Sequence, residues 1–183
     1  MGSGLSRFNS VARHFRVLLA TSTMVCMTSV LNAQDFTHDI TVSEVMSAII
    51  MPASNVLWEA AYPESTPEGE VIKGPADEAA WLKVREAAIS LAASTNLLLI
   101  PDLPVKDPAL ITETPAGELN PAAMAALIKS QSVAWAAHAS VLHATAMQAL
   151  DAIDQRDLDK LYDITGGLDG PCTGCHQQFW YPQ

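Results

Sequence analysis

The sequence predicts an all-α fold, on three observations. Four stretches carry apolar residues at the spacing of one helix face. Residues able to cap a helix N-terminus stand at the heads of these stretches, and no alternating apolar–polar run marks a convincing strand. At 183 residues, 49% of them hydrophobic, the chain has material for one compact domain with one core.

Residues 1–33 read as a cleavable secretory signal peptide. Arg7, Arg13 and Arg16 precede a short apolar stretch over residues 17–30, and Ala33 offers a small residue before a cut at Gln34. The stretch falls short of the roughly 20 residues of a membrane span, so cleavage is favoured over a retained N-terminal anchor. Leu31, large for its place in a cleavage site, keeps the membrane-anchored alternative open. Cleavage would place residues 34–183 in the periplasm as one domain. It would remove Cys26, leaving Cys172 and Cys175 as the only thiols. The bulky Val25 argues against lipid attachment at Cys26. Three of the ten basic residues and no acid would go with the signal, moving the net charge from −10 to −13. Such a balance excludes nucleic acid as a natural partner and suits a basic docking surface.

The first helix is expected over residues 41–62. Thr41 and Glu44 have the spacing of a capping box, and Val42, Val45, Met46, Ile49, Ala53, Val56, Leu57 and Ala60 form its apolar stripe. Pro52 supplies no N–H to the Ala48 carbonyl, so a kink or local irregularity is expected there. Residues 63–75, rich in Pro, Glu and Gly, read as an exposed loop. Asp77 caps a second helix to about Leu99, with Trp81, Val84, Ala88, Leu91, Thr95 and Leu98 inward. Four prolines then mark a long connection up to Leu119, expected to pack over one end of the molecule or to carry a short helical turn.

The third helix is expected as one rod from Asn120, which caps it, through Pro121 at its first position to Ala152. Twelve alanines in that span permit close approach of neighbouring helices or a flat macrocycle. A fourth helix should start near Asp154 or Asp157 and stop at Gly166-Gly167. A further helical turn should carry residues 172–180, either continuing the same rod or following a bend at Gly170-Pro171.

Within that last turn lies Cys172-Thr173-Gly174-Cys175-His176. Two thiols and an adjoining imidazole at this spacing are what covalent haem attachment requires: one thioether bond from each cysteine, and His176 on the iron. A zinc site would need a second pair of Cys or His ligands. A thioredoxin-like dithiol would sit in a βαβ unit, which a helical chain lacks. One haem c, covalent through Cys172 and Cys175, is the expected cofactor.

Helical stretches followed by a haem motif near residue 183 and the aromatic Phe179 resemble the class II c-type cytochromes, the cytochrome c′ group and its low-spin relatives. The resemblance implies an antiparallel four-helix bundle with covalently attached haem near one end. It also implies that the sixth iron position is either open to small gases or filled by a first-helix methionine. Met46, on the apolar stripe, is the candidate, with ordinary core packing as its competing role. Met51 lies about 140° further round the helix. His38, His138 and His143 are weaker ligand candidates; His138 shares a face with Trp135 and Leu142, and His143 does not. Trp58, Trp81 and Trp135 are expected to pack the core and the haem, and Trp180-Tyr181 to close the end behind His176.

In the gas-binding members a basic residue follows the aromatic position after the haem histidine, and Trp180 stands in its place here. That departure favours an exported haem-based electron carrier over the alternative, a cytochrome c′-like protein binding NO or CO at an open site. No acid–base or nucleophile constellation points to an enzyme. The expected partner is a redox protein, and the resemblance adds a homodimer through the first two helices. An accessory subunit of a membrane redox complex is a further role.

Overall fold

The computed structural model describes residues 40–110 and 113–181. The signal reading of residues 1–33, together with Cys26 and His38, falls outside them. The described chain is mostly helical. Its first rod comprises α1 (Val42–Glu44), a π-helical turn (Val45–Ile50) and α2 (Met51–Trp58); β1 (Tyr62–Thr66) and β2 (Gly69–Lys73) follow. Then come α3 (Glu78–Ser94), 3-10 turns at Leu97–Leu99 and Pro108–Leu110, α4 (Pro121–Ser130), α5 (Ser132–Gln155), α6 (Leu158–Gly166) and α7 (Asp169–Phe179). Among the described residues no helix is long and apolar enough to cross a membrane.

The start of the first rod leaves no N–H of its first turn unpartnered. Thr41 Oγ1 accepts from the Glu44 N–H, the Glu44 carboxylate accepts from the Thr41 N–H, and the Val42 and Ser43 amides donate to the carbonyls of Pro104 and Val105. The long connection thus packs over this end of the molecule, and it carries the short turn at Pro108–Leu110. The irregularity associated with Pro52 takes the form of the π turn just before it, where the Met51 amide donates to the Met46 carbonyl, five residues back. The wider turn shifts the phase of the buried face. Ile50 and Ser54 point inward where a regular helix favoured Ile49.

Several expectations are corrected. Most of the loop expected over residues 63–75, together with Tyr62 from the expected end of the first helix, is instead an antiparallel hairpin in register Tyr62↔Lys73 to Thr66↔Gly69, and the first rod ends at Trp58. Pro67 and Gly69, the latter at φ 131°, suit the tight turn. The strands are almost wholly exposed and therefore lack the apolar alternation by which strands are read. Gly74 lets the hairpin approach α6, since a Cβ there would run into the Leu158 side chain. The expected single third helix is likewise two helices, broken at Gln131 (φ −120°, ψ 38°) without Gly or Pro. The Ser130 hydroxyl donates to the Leu127 carbonyl at 3.0 Å, one of the local bonds by which serine competes with the helix ladder.

The second and fourth helices start where their caps indicate, with Asp77 accepting from the Ala80 amide and Asp157 from the Lys160 amide. Arg156, left-handed at φ 56°, turns α5 into α6. The break before α7 falls at Gly167-Leu168 rather than at Gly170-Pro171, and Pro171 is tolerated in the first turn of α7. Helix α5 is the central element, in contact with α3, α4, α6 and α7, while α3 also packs on α2. Leu57, Leu91, Ile153, Leu161, Leu168 and Phe179 occupy the centre of one core.

Candidate functional site

Helix α7 carries Cys172, Cys175 and His176 at positions i, i+3 and i+4, which share one helix face. Both cysteines are free thiols, half-buried against the core. Burial pushes the Cys175 thiol up to about 11, with the neighbouring Cys172 adding to it. Cys172 is also raised, by burial and then by Asp169. A redox-active dithiol needs a thiol of lowered pKa, and these are shifted the other way. His176 is pushed below the ordinary histidine value by burial, partly opposed by Asp169, so its lone pair is free at neutral pH.

Cys175 and His176 open onto an apolar cleft whose empty space, open mouth included, is about 920 Å³. Phe179 and Trp180 continue the same helix into it. The first rod contributes Val42 and Met46, α4 contributes Met124 and Ile128, and α5 contributes Trp135. Cys172 lies one turn back along α7 and is not among the lining residues. Lys106, Glu113 and Glu118 stand among the cleft's charged neighbours.

The walls are held by specific bonds. The Trp135 indole N–H donates to the Leu98 carbonyl at 2.6 Å, and its ring meets Phe179 edge-on at 5.1 Å. Trp180 lies edge-on to His176 at 5.2 Å and donates its indole N–H to Glu118 at 2.6 Å; the Tyr181 ring is 6.2 Å from the imidazole. The Leu119 amide donates to the Trp180 carbonyl, tying the connection before α4 to the end of α7.

Of the methionines weighed on the first helix, Met46 is half-buried in the cleft with His176, whereas Met51 is 48% exposed. Two histidines are engaged elsewhere. His138 Nε2 pairs with Gln178 Oε1 at 2.8 Å, and His143 Nδ1 lies 2.9 Å from the Ala92 carbonyl and 3.2 Å from Thr95 Oγ1. Trp135 faces the cleft, while Trp81 lies under the Arg156 guanidinium instead. Met124 was not singled out in the sequence, because an alanine-rich helix gives no face on which it stands out.

Of the groups a covalently held metalloporphyrin needs, Cys175 and His176 line the cleft with the thioethers of Met46 and Met124, and Cys172 stands one turn back on the same face of α7. Among the described residues no cluster of three or more His, Cys, Asp or Glu side chains could hold a bare metal ion. No protein-family model, no curated protein and no solved structure matches the chain.

Proposed function

We propose that this chain is an exported c-type cytochrome of the four-helix-bundle kind and that it carries electrons. The observation that carries the proposal is the placing of Cys172, Cys175 and His176 on one face of α7, with His176 opening onto an apolar cleft that Met46 also lines. In this reading Cys172 and Cys175 would hold haem c through two thioether bonds, and His176 and Met46 would ligate its iron. Bound there, haem c supplies a one-electron ferrous–ferric couple.

The protein's own part is to exclude water and set the potential. Trp135, Phe179 and Ile128 line the cleft with apolar surface, and burial of an iron site disfavours the more highly charged state. Trp180 and Tyr181 brace His176 from the end of α7. The acidic surface, net −10 over the whole chain, would steer a basic redox partner. A periplasmic site of action, with an N-terminal anchor as its alternative, rests on residues 1–33.

Expression in a host able to attach haem c, followed by intact-protein mass and visible spectra, tests the proposal. One covalent haem and a low-spin reduced spectrum indifferent to carbon monoxide are expected. A reduced spectrum that shifts with carbon monoxide would replace the carrier reading with gas binding at an open site. A mass without haem would overturn both.

A further inference from the structure

The outward face of α5 carries no charge over about five turns. From Ser130 to Leu150 the sequence holds no Asp, Glu, Lys or Arg, whereas α3 exposes Lys83 and Glu86, and α6 exposes Asp159 and Asp163. Val133, Ala137, Ser140, Val141, Ala144 and Met147 are all exposed, Val133 at 85%, and at 3.6 residues per turn they fall within an arc of about 120°. The hydroxyls beside them are already engaged: Ser140 donates to the Ala136 carbonyl at 2.8 Å and Thr145 to that of Val141 at 3.0 Å. Covering the face therefore strands no hydroxyl donor. The bonds from Arg85 to Asp154 and between His143 and the Ala92 carbonyl run α3 antiparallel to α5. In that register the exposed Ile89 stands level with Met147, so the apolar surface continues onto α3.

What fits this face is the face itself. In an antiparallel two-fold pair every contact occurs twice: Val133 meets the partner's Met147 and Ala137 meets the partner's Ala144, with the small residues letting the two helices close up. A chain of net charge −10 repels its own copy, and an uncharged face is where that repulsion is smallest. About 25 Å of α5 and two helix widths of about 10 Å give on the order of 500 Å² per copy. The total of roughly 1,000 Å² is the lower bound of a specific interface, which makes the pair weak and reversible.

We propose that the outward face of α5, flanked by Ile89 of α3, docks a second copy of this chain as an antiparallel helix pair about a two-fold axis near Ser140 and Val141. Trp135, which lines the cleft, stands about 180° round α5 from the centre of this face, so pairing leaves the cleft uncovered. The proposal is independent of the haem reading, and the pairing differs from one through the first two helices.

Sedimentation velocity of the purified protein from about 1 to 500 μM, at about 0.05 and 0.5 M NaCl, tests it. A monomer–dimer equilibrium that tightens at the higher salt is expected, because screening weakens the repulsion between acidic copies. Ala137→Lys and Ala144→Glu, at exposed helix positions that tolerate both residues, should leave the circular dichroism unchanged and each weaken the dimer at least about tenfold. Both substitutions in one chain should restore it to within about threefold of the parent, since each new ammonium then faces the partner's new carboxylate. A parent monomeric throughout would overturn a second copy as the occupant. Single variants that dimerise like the parent would overturn the face, and a double variant as weak as the singles would overturn the antiparallel register and the proposal with it.

Discussion

Replacing Trp135 by phenylalanine separates the hydrogen bond that holds the cleft wall from the apolar packing around it. Trp135 is 8% exposed and donates to the carbonyl of Leu98, itself 5% exposed, at 2.6 Å. Phenylalanine keeps an aromatic ring against Phe179 but leaves that carbonyl without its donor. Stranding a buried backbone acceptor costs about 1–3 kcal/mol, and the smaller ring leaves a void that adds about 1 kcal/mol. A net destabilisation of about 2–4 kcal/mol is therefore expected, large against the roughly 5–15 kcal/mol that holds a domain together. Urea unfolding followed by circular dichroism reads it as a lower midpoint at unchanged slope. The effect should appear in the haem-free chain as well, since the bond joins α5 to the 3-10 turn whether or not the cleft is filled. A change below about 0.5 kcal/mol would show that the Leu98 carbonyl finds another partner, and would refute the reasoning.

Three further outcomes follow from the same structure. In the haem-free chain carrying Cys172→Ser, Cys175 should react with iodoacetamide at pH 8 at least about tenfold more slowly than in urea, because its raised pKa and burial suppress the thiolate; equal rates would contradict the burial. Ser54 is 1% exposed and its hydroxyl has no hydrogen-bond partner, so Ser54→Ala should stabilise the chain by about 1 kcal/mol; a lowered urea midpoint would reveal a partner. The imidazole of His176 is held below its ordinary value of 6.5, which means the fold favours the neutral form. Its contribution to haem-free stability is present above that value and is lost as pH falls through the lowered folded pKa. Replacing His176 by glutamine should flatten that acid-side slope, and an unchanged slope would assign it to other groups.

Local chemistry carries across from sequence to structure wherever few residues decide it. Thr41 with Glu44, Asp77, Asn120 with Pro121, and Asp157, one of two starts offered beside Asp154, each mark a helix start, because a cap is a bond between near neighbours. The position of Met46 on the apolar stripe belongs to the same class. The hairpin at residues 62–73 was hidden because its strands bury almost nothing, and the break at Gln131 because it needs neither Gly nor Pro. The π turn before Pro52 was foreseen only as an irregularity. Its effect on Ile49 and Ile50 depends on how the rod meets α3, which makes contact with the π turn as well as with α2.

By itself the sequence determined the chemistry of α7: Cys172, Cys175 and His176 fall on one helix face because their spacing is that of the helix. Only the tertiary structure decided what that face looks onto. The first rod, α4 and α5 meet α7 around one cleft through contacts between residues far apart in the chain, among them Trp135 with Leu98 and Trp180 with Glu118. That is why Met124, silent in an alanine-rich stretch, shares the cleft with Met46 and His176, while Met51, five residues from Met46, faces solvent.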